Sequence, residues 1–187
     1  MELLSHKQFV VLGLIAETPS HAYNINQRIK DRGMRAWTAI GKSSIYRILI
    51  ELESTNLVEY YEEEVDHRKR KVYTITTYGA KILKEKVYNV IKDFMGKNDE
   101  DFYVAFSMLP LLSSEEIIET FSFSIETMKN HKIELEKMLN ADPSFPINVS
   151  GLFIHPIKIL ETDISFMEWV IKNIREGEKC DSKIFDK

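Results

Sequence analysis

Two short stretches of this chain carry the side chains best suited to meeting a polyanion. Lys42-Ser43-Ser44-Ile45-Tyr46-Arg47 gathers cations, hydroxyls and a phenol. His67-Arg68-Lys69-Arg70-Lys71 is the densest basic segment of the chain. Lysine and arginine neutralise phosphates, arginine also donates a two-pronged hydrogen bond to guanine, and serine or tyrosine hydroxyls bond the sugar–phosphate backbone. Glu62-Glu63-Glu64 stands just before the second stretch, so part of its charge is open to local cancellation.

The total charge of −4 speaks against a nucleic-acid binder, but its distribution does not. Residues 1–76 carry 11 Lys and Arg against 10 Asp and Glu, leaving 14 against 19 in residues 77–187. Other chemistries find less support. None of the five histidines has a second histidine or cysteine at metal-ligand spacing, so neither metal nor cofactor is expected. Glycine-rich phosphate loops, nucleophile elbows and His-Glu-x-x-His are missing, and Glu115-Glu116 reads as charge at a helix start, so no enzyme is expected.

Elements able to position the basic stretches follow from periodicity. Ser5 to Glu17 reads as a core helix through Phe9, Leu12, Ile15 and Ala16, with Ser5 as N-cap and Gln8 three residues on. Thr18-Pro19-Ser20 breaks it, and Ser20 is expected to cap a second helix bearing Ala22, Ile25, Asn26 and Ile29 that ends near Gly33. A third, from about Lys42 to Thr55, turns Ile45, Ile48, Leu49 and Leu52 inward and exposes the first basic stretch. Strands are expected at 57–61 and 72–76. The charged run Glu62 to Lys71 between them looks too long for a tight turn and suits an exposed wing. Three helices and a hairpin are the order of a winged helix-turn-helix, in which the N-terminal residues of the third helix meet base edges.

From Thr77, a possible cap, the pattern is helical throughout. A long helix bears Ile82, Leu83, Val87, Val90, Ile91 and Phe94 and frays at 96–99. A buried segment, Phe102 to Leu112, leads to a helix capped by Ser113 or Ser114 and running to Asn140. Residues 141–151 should form the turn into the last helix. Ile118, Phe121, Ile125 and Met128 on one helix and Ile157, Leu160, Ile164, Met167, Ile171 and Ile174 on the other recur in steps of three and four. Such stripes favour an antiparallel hairpin with a seam for a second subunit, the rival reading being packing within the chain. The expected fold is mainly α with a small β-hairpin wing: a winged helix-turn-helix over 1–77, a connecting helix over 78–98 and a helical dimerisation domain over 99–187.

Leu12-Gly13-Leu14-Ile15-Ala16, Pro19-Ser20-His21-Ala22-Tyr23, Ser44-Ile45-Tyr46 with Leu49 and Leu52-Glu53, and Arg68 to Thr76 together resemble the PadR family of bacterial transcriptional regulators over about the first 80 residues. The resemblance implies that Tyr23 lies near the DNA backbone and that Ser44, Tyr46 and the wing cations His67, Arg68, Lys69, Arg70 and Lys71 contact DNA, joining Lys42, Ser43 and Arg47. Ala22 stands where the family has glycine, Lys42-Ser43 where it has Pro-Gly and Arg47 where it has proline, departures that bear on operator choice more than on fold.

The expectation is therefore a cytoplasmic homodimeric regulator, a repressor, on a pseudo-palindromic site in double-stranded DNA, with release by a small hydrophobic or phenolic effector. Trp37, Phe102, Phe106, Met167 and Trp169 offer apolar surface for such a molecule, though ordinary core explains each of them better. The alternative is a winged-helix protein-interaction module without specific DNA binding. Neither an export signal nor a membrane span is expected, and the single cysteine, Cys180, has no partner for an intrachain disulfide.

Overall fold

Ser5 starts the first helix reciprocally with Gln8: its hydroxyl accepts from the Gln8 N–H, and the Gln8 side chain accepts from the Ser5 N–H at 3.0 Å. The computed structural model describes residues 4–36, 38–65, 68–96, 99–178 and 180. Its order is α1 (His6–Glu17), α2 (Ala22–Asp31), a 3-10 turn (Met34–Ala36), α3 (Lys42–Ser54), β1 (Val58–Val65), β2 (Arg68–Ile75), α4 (Thr77–Lys92), α5 (Glu100–Ser107), a 3-10 turn (Leu109–Leu111), α6 (Ser114–Asn140) and α7 (Ile147–Arg175). The result is mainly α with a two-stranded hairpin, as expected. Trp37, Lys97 and Asn98 lie outside the described residues, so the expected frayed stretch is seen only at its ends.

Helix α1 is the hub. Phe9, Val10, Val11, Leu12, Leu14 and Ile15 are all buried, although a surface helix would bury only one stripe. It packs against α2, α3, α4, α5 and β2. Gly13 lets Met108, beyond α5, lie against the α1 backbone where a Cβ would stand. Polar contacts reinforce this junction: Asp101 of α5 accepts from Lys86 of α4 at 2.7 Å and lies 2.7 Å from His6 Nδ1 of α1.

The hairpin differs from expectation. The charged run is not a long loop, because both strands extend through it and only residues 66–67 connect them. In this antiparallel register Glu62 faces Lys71, Glu63 faces Arg70 and Glu64 faces Lys69. Opposite charges directly across a ladder favour pairing, so the acid-then-base order that resembled a loop continues the strands.

Smaller corrections concern helix ends. Ser20 does not cap α2, whose N-cap is His21. Ser20 instead exchanges 2.9 Å backbone hydrogen bonds with Tyr73 and so pins the α1–α2 turn to the wing. Thr76, not Thr77, caps α4, its hydroxyl accepting from the Gly79 N–H at 2.9 Å. Ser113 caps α6 in a reciprocal pair with Glu116. The turn after α6 ends by Pro146, leaving Gly151 inside α7.

The paired stripes also find a different occupant. Phe121, Ile125, Met128, Ile157, Leu160, Ile164, Met167 and Ile171 are buried within one chain, and Ile118 and Ile174 are partly buried against the same core. Helices α6 and α7 close on each other, with Lys132 to Glu161 at 2.8 Å and Lys129 to Glu168 at 2.7 Å across the pair. The ten residues assigned to a dimer seam thus serve the intrachain core, because heptad spacing specifies a face and not its partner. Phe102 and Met167 are core as well, whereas Trp169 is exposed.

Two glycines should respond oppositely to alanine. At Gly79 a Cβ would strike the Leu57 backbone carbonyl, which cannot yield. Gly79→Ala should therefore destabilise the chain by about 1–3 kcal/mol in urea unfolding. Gly151 sits in α7 with open space around it, and Gly151→Ala should stabilise by roughly 0.5–1 kcal/mol in the same assay.

Candidate nucleic-acid interface

A buried carboxylate sets the pose of α2, which carries Tyr23, against α1. Glu17, at the C-terminal end of α1, is 7% exposed and accepts from Arg32 through both oxygens at 2.8 Å and from Arg28 at 3.3 Å. Arg28 also donates to the Leu14 carbonyl at 2.6 Å and to the Ser20 hydroxyl at 2.8 Å. Burial lowers the Arg28 guanidinium from its usual value, while the Glu17 hydrogen bond raises that of Arg32. The cluster fixes α2 to α1 and, through Ser20 and Tyr73, to the wing. Sequence reading missed all three residues; their charges were visible, but nothing local marked them as partners.

Helix α3 then stands with Ile45, Ile48, Leu49 and Leu52 inward. Lys42, Ser43, Tyr46 and Arg47 face outward, and Ser44 is half-buried. Gly41 is the N-cap and supplies no side-chain hydrogen bond. The first-turn amides therefore meet no capping side chain, and the positive end of the helix favours an anion there. Among the described residues Arg47 reaches Glu51, at 3.5 Å, an exposed pair that costs little to break. Tyr23 is exposed at the start of α2 with its ring stacked near His21.

The wing cations are less available than their number suggests. Lys69 is 3.1 Å from Glu62, and Lys71 lies 3.6 Å from the centre of the Tyr60 ring and 3.9 Å from Glu53 of α3. Hydrogen bonding to Tyr60 raises the Lys71 ammonium above its usual value. The Lys71 contacts tie β2 to α3, so the hairpin and that helix form one surface. Arg70 is half-buried, Arg68 pairs with Val65 in the ladder, and His67 lies outside the described residues. Tyr60, a contact that sequence reading did not single out, is legible afterwards from strand alternation, because it shares a face with Lys71 and Tyr73.

Among the described residues no group of His, Cys, Asp and Glu could hold a metal ion, and no helix is long and apolar enough to cross a membrane.

The family model described as the transcriptional regulator PadR-like family matches residues 11–85. An uncharacterized protein X from Lysinibacillus sphaericus is 34% identical over 83 residues, covering 44% of this chain and 75% of that protein. Among solved structures, Bacillus subtilis PadR in complex with operator DNA aligns over 90% of this chain and 98% of its own, with 18% identity and a TM-score of 0.42. Bacillus subtilis PadR in complex with p-coumaric acid covers 91% and 99%, with 21% identity and a TM-score of 0.39. The family assignment stands on the sequence matches to the N-terminal half.

The Glu62–Lys69 pair can be tested directly. Glu62→Gln frees an exposed ammonium and should raise affinity for duplex DNA by up to about fivefold at low salt, measured by fluorescence anisotropy, with the gain shrinking as salt is added.

Proposed function

The chain belongs to the PadR-like family of transcriptional regulators, and from that premise we propose that it is a repressor that binds a pseudo-palindromic operator as a homodimer and is released by a small-molecule effector. It is a DNA-binding regulator. The observation that carries the finer reading is the outward face of α3. There Lys42, Ser43, Tyr46 and Arg47 surround a helix start that no side chain caps, beside a wing tied to the same helix by Lys71 and Glu53.

In this reading residues 1–77 grip DNA. The α3 start takes a phosphate through its amides, Lys42, Ser43 and Ser44, while Tyr46 bonds the backbone and Arg47 leaves Glu51 to read a guanine or a phosphate. Tyr23 and the wing residues His67, Arg68, Lys69, Arg70 and Lys71 contact flanking backbone. Residues 78–98 connect to 99–187, through which two copies join. The supporting surface is apolar and exposed: Ile133 and Met138 on α6 with Ile147, Leu152 and Ile154 on α7, of which Ile147 is 90% exposed. A dimer occupying its site excludes other proteins from that DNA, which is repression by occupancy.

The protein-interaction module is kept as a second reading because Glu62 and Glu53 already engage Lys69 and Lys71.

The deciding experiment is a salt titration of full-length protein on DNA from upstream of its own gene and on scrambled DNA of equal length, followed by fluorescence anisotropy. Preference for the native fragment, with affinity falling steeply as salt rises, is the expected outcome. Arg47→Ala should cost roughly tenfold to a hundredfold on the native fragment without lowering the melting temperature. Weak, salt-insensitive binding to both DNAs would replace this reading with the interaction module.

A further inference from the structure

A cavity of about 480 Å³ opens where the end of α4, the start of α5 and the facing sides of α6 and α7 converge. Phe94, Phe102 and Tyr103 supply its aromatic wall, and Asp99, His131 and Asp163 its titratable groups. Phe94 and Phe102 stack at 4.0 Å, and the Tyr103 ring meets Phe102 edge-on at 5.9 Å. The described lining contains two carboxylates and neither lysine nor arginine.

Asp163 is the informative residue. It sits half-buried on α7 and makes no hydrogen bond or ion pair among the described residues. Burial raises its carboxyl above the usual range. Asp99 differs, since one of its oxygens accepts from the Asp101 N–H at 2.9 Å and caps α5. The space beside Asp163 is kept open by Gly96, whose φ of +67° suits glycine and where a Cβ would come within 3.0 Å of Asp163 Oδ2 and 2.9 Å of Leu160. A half-buried carboxylate without a partner is costly, and a cation brought to it recovers that cost. Aromatic faces attract the same kind of charge, whereas an anionic ligand would meet two carboxylates.

We propose that this cavity binds a lipophilic organic cation, an aryl- or alkyl-substituted ammonium or phosphonium, with Asp163 as its counter-charge and Tyr103 and Phe102 as its apolar cradle. For its regulatory meaning the proposal rests on the effector reading above, and it replaces a phenolic acid with a cation as the effector class. The route to the DNA-binding half is short. Helix α5 forms part of the cavity wall and also carries Asp101, which holds His6 of α1 and Lys86 of α4.

The test is calorimetric titration of the full-length protein with tetraphenylphosphonium and, separately, with tetraphenylborate, a partner of matched shape and opposite charge. Tetraphenylphosphonium should bind and tetraphenylborate should bind at least tenfold more weakly. Asp163→Asn should lose about tenfold in phosphonium affinity with an unchanged melting temperature. If that variant is unstable, Tyr103→Ala, at an exposed ring, should lose about threefold. Equal binding of the two ions, or of wild type and a folded variant, overturns the proposal. A parallel anisotropy titration on DNA keeps the two readings apart. Asp163-dependent phosphonium binding that leaves DNA affinity unchanged upholds the cavity assignment and overturns release by an effector.

Discussion

One buried carboxylate fixes how α2 and the wing sit against α1. Glu17 ends the most buried helix of the chain, and its two oxygens organise Arg28 and Arg32 on α2. A buried carboxylate left without such partners would strongly oppose folding, so the helix pair has one arrangement in which both charge and burial are satisfied. Arg28 passes this order to Ser20, and Ser20 passes it to Tyr73 of the wing through paired backbone hydrogen bonds. Helix α2, the turn before it and strand β2 are thereby held in register with α1, against which α3 packs its apolar face.

The surface that results separates free charge from engaged charge. On α3 the cations face solvent and the helix start meets no capping side chain. On the wing Lys69 and Lys71 already have a carboxylate or a tyrosine ring beside them. A polyanion meets the first set at little cost and must displace Glu62 and Glu53 to gain the second. In the proposed reading, affinity comes mainly from α3, while the wing responds to how strongly a given DNA competes with the protein's own acids.

Much of this was legible in the sequence wherever the signal was local. The Ser5–Gln8 and Ser113–Glu116 capping pairs lie three residues apart, and the apolar faces of α3 and α4 show in their own periodicity. What could not be read were relations across the chain. The charged run between the strands looked like a loop because its Glu–Lys pairs exist only once the hairpin has closed. The stripes on α6 and α7 announced a buried seam but not that each would fill the other's. Glu17 and its arginines, and the cavity that brings Asp99 and Asp163 to one wall, likewise arise from residues distant in sequence. The family resemblance rested on motifs in the first 80 residues and reached the half that holds the cavity only as a similarity of helical layout.

The burial of α1 on every face sets the unit of cooperativity. A helix shared by α2 and α3 on one side and by α4, α5 and Met108 on the other belongs to neither half alone. A fragment stopping before α5 would leave part of that apolar cylinder to water and retain only some of its native stability. Amide exchange in α1 should therefore track global unfolding and not the opening of one half. In energetic terms α1 belongs to both halves at once, and a change in how α4 or α5 packs on it reaches α3 through the core they share.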